Sequence, residues 1–146
     1  MRRGGRCTTA RSRSSKTMTR PPSPKRRKAE RRGRRSETLA AAMLLLKGYR
    51  ILGRRVKTRV GEIDLVARSP SGIVCFVEVK ARADAGSAAE AVLLRQQGRI
   101  ARAAELFLAA RPALANARFR FDIVTVAPRA LPRHMRNAWQ MDDLKR

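Results

Sequence analysis

Two stretches near the middle of the chain carry the clearest alternation of apolar and polar positions. Gly61-Glu62-Ile63-Asp64-Leu65-Val66-Ala67 and Phe76-Val77-Glu78-Val79-Lys80 are dominated by Val, Ile, Leu and Phe, and Ser71-Gly72 lies between them, the pattern of two β-strands joined by a turn. Side chains two apart on a strand share a face, which puts Glu62 with Asp64 and Glu78 with Lys80. In the second strand Ile73, Cys75, Val77 and Val79 form one apolar row, while the other row begins with Val74 and Phe76 and turns charged at Glu78 and Lys80.

The flanking segments complete an α/β pattern. Ser36 is placed to cap a helix from Glu37 to Lys47 that ends at Gly48, with Leu39, Met43 and Leu46 as its buried row. A strand is expected from Tyr49 to Lys57, with the hairpin strands over 60–68 and 73–81. Residues 81–86 form a loop. Ser87 with Glu90 makes a capping-box pattern that opens a long helix to Ala110, on which Val92, Gln96 and Ile100 stand one helical step apart, as do Ala103 and Phe107. Residues 112–117 are a loop and Arg118 to Val126 a further strand. Pro128 and Pro132 break the chain, and the remainder, with His134 and Trp139, reads as a short helix or an irregular tail. One domain over 33–146 follows a basic tail over 1–32 that is too polar and too uniformly charged to order itself.

A strand covered on both faces does not end in a carboxylate and an ammonium without compensation, because isolated ions are costly to remove from water. Asp64 and Glu78 on adjacent strands are the acids best placed to hold a divalent cation, Mg²⁺ or Mn²⁺, with Glu37 as a third carboxylate from the helix and the Val79 carbonyl as a further oxygen. Glu37 also reads as an ordinary acid of a first helical turn, and Asp122 as an auxiliary acid. Lys80 is the expected electrostatic partner of a phosphate or an attacking water, and Gln96 a polar group on an otherwise apolar helix face. The same pattern is compatible with a surface ion pair of Glu78 and Lys80.

Charge adds a partner. Of 35 Lys and Arg against 11 acids, 15 basic residues and the single acid Glu30 fall in residues 1–36, leaving +14 there and +10 in the rest of a net +24. Such an excess favours polyanions, nucleic acid first among them, and the four cations Arg50, Arg54, Arg55 and Lys57 of the first strand suit either a phosphate backbone held near the acids or an exposed sheet edge protected by charge. Cys7 and Cys75 do not make a disulfide framework, which fits a reducing cytoplasmic setting. No apolar run approaches a membrane span, and no secretory apolar segment is seen. The Arg- and Ser-rich start has the composition of a transit peptide, but Pro21, Pro22 and Pro24 oppose its amphipathic helix, and Met18 offers an internal start. Phosphate-loop, zinc-finger and serine-hydrolase motifs are missing.

The order Asp64, then Glu78-Val79-Lys80, resembles the PD-(D/E)xK nuclease signature of restriction endonucleases and archaeal Holliday-junction resolvases. Gly61-Glu62-Ile63-Asp64-Leu65, Phe76-Val77-Glu78-Val79-Lys80-x-Arg82, Arg120-Phe121-Asp122-Ile123-Val124 and the upstream Ser36-Glu37-x-x-Ala40 together resemble the YraN-like family of bacterial predicted endonucleases (uncharacterised protein family 0102), over residues 33–140. The resemblance implies a three-layer α/β/α restriction-endonuclease-like fold with a mixed central sheet and a Mg²⁺-dependent endodeoxyribonuclease acting on DNA, including branched or damaged DNA. It implies Asp64, Glu78 and Glu37 as metal ligands, Lys80 as their catalytic companion, and Arg55, Arg82 and Gln96 as nucleic-acid contacts. Arg55 stands where the family's Asn is expected, and Gln96 where a Lys is usual. Cleavage of a junction needs two sites, so a homodimer is the assembly this implies. Two alternatives remain at this point: a nucleic-acid-binding protein on a nuclease fold with weak or no catalysis, and a basic RNA- or ribosome-associated protein whose acids are only a salt-bridge network.

Overall fold

A computed structural model of the chain describes residues 23–81 and 94–140. The first helix is much longer than its sequence pattern suggests: α1 runs from Pro24 to Leu46. Lys, Arg, Ala and Glu are good helix formers and Pro is suited to a first turn, so the stretch expected to belong to a disordered tail is helical from Pro24 on; residues 1–22 lie outside the described residues. Ser36 therefore does not cap. It sits inside the helix, its hydroxyl donating back to the Arg32 carbonyl at 3.1 Å, as Thr38 does to Arg34 at 2.9 Å. The end of α1 agrees with the sequence. Gly48 adopts φ +78°, its N–H donating to Leu45 and that of Tyr49 to Leu44, the paired bonds of a glycine-terminated helix.

The buried row of α1 is also not the one expected. Leu39 is 50% and Leu46 90% exposed, whereas Ala40, Ala41 and Leu44 are buried. The alanines let the helix axis lie close to the sheet, which pushes the larger side chains at the flanks outward.

The sheet is built from β1 (Arg50–Thr58), β2 (Gly61–Arg68), β3 (Val74–Ala81), β4 (Phe119–Val126) and β5 (Arg133–Trp139), in that spatial order. β3 and β4 are parallel and the other pairs antiparallel, so the sheet is mixed. A parallel pair needs a long crossover; it carries α2 (Leu94–Ala109) and a short 3₁₀ turn at Pro112–Leu114. The Ser87 and Glu90 capping pattern and Val92 lie outside the described residues. β5 replaces the expected short helix or irregular tail. Its sequence, Arg-His-Met-Arg-Asn-Ala-Trp, has no β-branched residue, and tertiary contact decides it: it pairs with β4, and Trp139 stacks on Phe121 with ring centroids 5.1 Å apart.

The two helices cover opposite faces. Phe76, Phe121, Ile63 and Ile123 pack with Ile100 and Phe107 of α2, and Leu65, Cys75, Val77 and Val124 pack with Ala40 and Leu44 of α1. This is the expected three-layer α/β/α arrangement, and it explains why the first half of β3 is apolar on both faces. Among the described residues no helix is long and apolar enough to cross a membrane, and Cys75 is a buried free thiol.

Candidate active site

The site grows from the place where β2 leaves β3. Their pairing runs from Arg68↔Val74 to Leu65↔Val77 and stops there. At the next residue the Asp64 carboxylate accepts the Val79 N–H at 2.8 Å, so a side chain takes over the backbone donor that the ladder leaves. Strand alternation fails at the same point. Ile63 packs on the α2 side and Leu65, two residues on, on the α1 side. Opposite them, β1 pairs Arg54↔Leu65 and Val56↔Ile63, and the intervening Arg55 has φ +49°. Both strands turn over together, and Asp64 sits at the turnover.

Glu78 and Lys80 point to the α2 face, as the two-residue period requires. Glu78 is 7% exposed; Lys80 Nζ lies 2.8 Å from its Oε1. Gln96 joins them from α2, its amide N–H donating to Glu78 and its carbonyl accepting from Lys80 Nζ at 3.1 Å. The polar residue singled out on the apolar face of α2 is thus the one that bridges the acid and the base.

Glu37 belongs to the same neighbourhood but is held by another partner. It lies mid-helix, so the first-turn account of its charge does not apply, and Arg55 Nε is 3.8 Å from its carboxylate and 3.1 Å from that of Glu62. Burial, first, and then the negative charge of Glu78 push the Asp64 carboxyl up to about 7; Glu37 adds to the rise, while the Val79 N–H and Lys80 oppose it. A carboxyl so perturbed beside a second acid is a candidate functional group.

A half-buried carboxyl held up toward neutral pH beside a buried second acid is the donor chemistry that a hard divalent cation relieves. Asp64 and Glu78 therefore fit Mg²⁺ or Mn²⁺ as a pair. Among the described residues no group of three His, Cys, Asp or Glu side chains is drawn together tightly enough to hold an ion, so Glu37 stands off as placed, tied to Arg55. Arg82 lies outside the described residues.

Asp122 does not join this cluster. It faces the α1 side with no exposed surface, accepting from Arg120 Nε at 2.9 Å, from the Asn137 N–H at 2.8 Å and bonded to His134 Nε2 at 2.9 Å. Burial alone would raise its carboxyl, but these bonds, His134 foremost, hold it below the ordinary range. Thr125, in contrast, is a site neighbour that the sequence did not signal. It is the register partner of Lys80 on β4, and its buried hydroxyl has no hydrogen-bond partner among the described residues.

The family model of uncharacterised protein family UPF0102 matches residues 36–126, from the middle of α1 to the end of β4. A UPF0102 protein of Agrobacterium fabrum (strain C58) is 54% identical over 117 residues, covering 80% of this chain and 95% of the relative. One from Paramagnetospirillum magneticum (strain AMB-1) is 50% identical over 126 residues, 84% of this chain and 97% of the relative. With the matched segment enclosing Glu37, Asp64, Glu78, Lys80 and Gln96, the chain belongs to uncharacterised protein family UPF0102, the YraN-like group.

Proposed function

We propose that this protein is a metal-dependent nuclease that hydrolyses phosphodiester bonds in DNA. The observation that carries the reading is the pair of half-buried Asp64 and buried Glu78 at the split between β2 and β3, with Lys80 Nζ 2.8 Å from Glu78. Asp64 and Glu78 would hold Mg²⁺ or Mn²⁺, and Glu37 would turn from Arg55 to add a third carboxylate. Such an ion, when bound, supplies a water acidic enough to attack at neutral pH and a positive charge beside the phosphate. Lys80 places its ammonium against the phosphate oxygens, and Gln96 fixes the direction of both Lys80 and Glu78. Val79 keeps Asp64 aimed through its N–H. The water oxygen would bond to phosphorus, giving its proton to solvent, as the scissile P–O bond breaks and the leaving oxygen takes up a proton from solvent. Arg55, which contacts Glu37 and Glu62, and the exposed arginines of α1 would supply sequence-independent contacts to a phosphate backbone.

A second reading, a nucleic-acid-binding protein with weak or no catalysis, draws on one observation: Gln96 and Lys80 already satisfy Glu78. Single-turnover cleavage of a labelled four-way junction, its linear duplex and a structured RNA separates the two. The nuclease reading expects cutting of DNA with Mg²⁺ or Mn²⁺, none with EDTA, and a loss of at least ~100-fold in Asp64→Asn and in Lys80→Ala. DNA binding with no cutting under any metal would leave the binding reading. A preference for the junction would support branched DNA as substrate and a homodimer as the working assembly.

A further inference from the structure

The face of the sheet away from Glu78 carries a second polar construction that the proposed chemistry does not use. Asp122, with no exposed surface, is its buried base. The carboxylate fixes two cationic or polar neighbours at once, bonding Arg120 Nε at 2.9 Å and His134 Nε2 at 2.9 Å. Arg120 Nη2 in turn donates to the Tyr49 hydroxyl at 2.9 Å, so that hydroxyl accepts from the guanidinium and keeps its own proton to donate elsewhere. His134 and Tyr49 stand edge to face at 5.6 Å. β5 is bulged against β4 between Phe121 and Ile123, where Asn137 takes φ +52°, and bulges of this kind re-aim the side chains beside them.

These groups open onto a cavity of about 530 Å³ that Lys47, Ser71, Pro70 and Arg136 also line. Lys47 follows the last turn of α1, Ser71 and Pro70 belong to the β2–β3 turn, Arg120 to β4 and Arg136 to the bulge of β5, so four separate parts of the fold meet there. Three permanent cations face the cavity; among the described residues no acid lines it, since Asp122 lies beneath the surface. Hydroxyls of Tyr49 and Ser71 stand among the cations. A guanidinium whose orientation is fixed by a buried carboxylate loses little freedom when it binds a tetrahedral anion. The volume exceeds that of phosphate alone and falls within the range of ordinary ligand pockets, with Pro70 as apolar wall for an attached sugar or base.

We propose that this cavity is a binding site for the phosphate monoester of a nucleotide, whose dianion is matched by Lys47, Arg120 and Arg136 and whose oxygens accept from Tyr49 and Ser71. The site lies on the opposite face of the sheet from Glu78 and Lys80 and stands without the nuclease reading.

Titration calorimetry of the full chain tests it, in EDTA at near-physiological salt, with deoxyadenosine 5′-monophosphate and inorganic phosphate as probes. One saturable site per chain is expected. Lys47→Glu with Arg136→Glu, both exposed positions, should weaken nucleotide binding at least ~10-fold, while Arg102→Glu on the exposed side of α2 should leave it within ~2-fold. Ser71→Ala, which keeps the charge, should weaken it by a few-fold, a loss that net charge does not produce. Asp64→Asn should bind the nucleotide as the native chain does, so failure of the nuclease reading would not touch the result. Oligonucleotides with and without a 5′-phosphate identify the source. Tighter binding of the phosphorylated strand supports a nucleic-acid end, and saturable binding of the mononucleotide alone supports a free nucleotide. Non-saturable binding, or an equal loss in Arg102→Glu, would overturn the proposal.

Discussion

At Asp64 burial and a neighbouring acid act in the same direction, and the consequence is measurable without any substrate. The folded-state carboxyl titrates near 7, above its ordinary 3.8, so the fold favours the protonated form. The contribution of this group to stability is fully present below about pH 4 and is lost as the pH rises through 7. In metal-free protein, Asp64→Asn should therefore melt at a higher temperature than the native chain at pH 8, with the difference shrinking toward pH 4. An unchanged difference across that range would remove the electrostatic account of the pair. Thr125 offers a second residue-scale test. Its buried hydroxyl is unpaired among the described residues, so Thr125→Val should be neutral or mildly stabilising in a thermal melt, while single-turnover cleavage slows if the hydroxyl serves the neighbouring Lys80. Glu78 and Lys80 were legible because they obey the two-residue period of a strand, Asp64 as an acid on the adjacent apolar strand although the alternation breaks at it, and Gln96 because it interrupts an apolar helical row. Thr125 and the partners of Asp122 were not, because they meet through the β3–β4 register and the β5 bulge, which join distant segments.

Among the elements, α1 shows where local pattern and packing part. Its apolar spacing pointed to Leu39, Met43 and Leu46, yet the close approach to the sheet is made by Ala40, Ala41 and Leu44. Ala40→Leu should cost ~1–3 kcal/mol by overpacking, whereas Leu46→Ala should stay within ~0.5 kcal/mol; chemical denaturation of the two variants checks both. The start of α1 was hidden by its composition, since Lys and Arg signal a solvated tail and good helix propensity equally. β1 holds the opposite case. Arg55 sits where an Asn is expected from the family resemblance, and its φ of +49° is a backbone state that Asn enters more easily than Arg. Arg55→Asn should thus relax the backbone while giving up the contacts to Glu62 and Glu37, freeing Glu37 to approach Asp64. β5 was misread because its strand character comes from the partner strand and from Trp139 against Phe121 rather than from its own residues.

At the scale of the whole molecule, the layers divide the chemistry. The α2 face holds Glu78, Lys80 and Gln96, the α1 face holds Asp122 with its cations, and Asp64 lies at the turnover between them. That β3 is covered on both faces was readable from its own residues, since its first half is apolar on both sides, whereas the mixed sheet was implied only by the family resemblance. A net charge of +24 should make affinity for DNA fall steeply with salt, and replacing the exposed Arg31 and Arg35 of α1 with Ala should lower the magnitude of the log–log salt slope by roughly one per residue. Charge explains affinity only; the claim that the acids make a metal centre needs its own measurement. That measurement is calorimetric titration of Mn²⁺ into the full chain. The account predicts binding at pH 8 that weakens about tenfold at pH 6, as the ion competes with the proton of Asp64, and that is lost in Asp64→Asn and in Glu78→Gln. Binding that is independent of pH and survives both substitutions would contradict it.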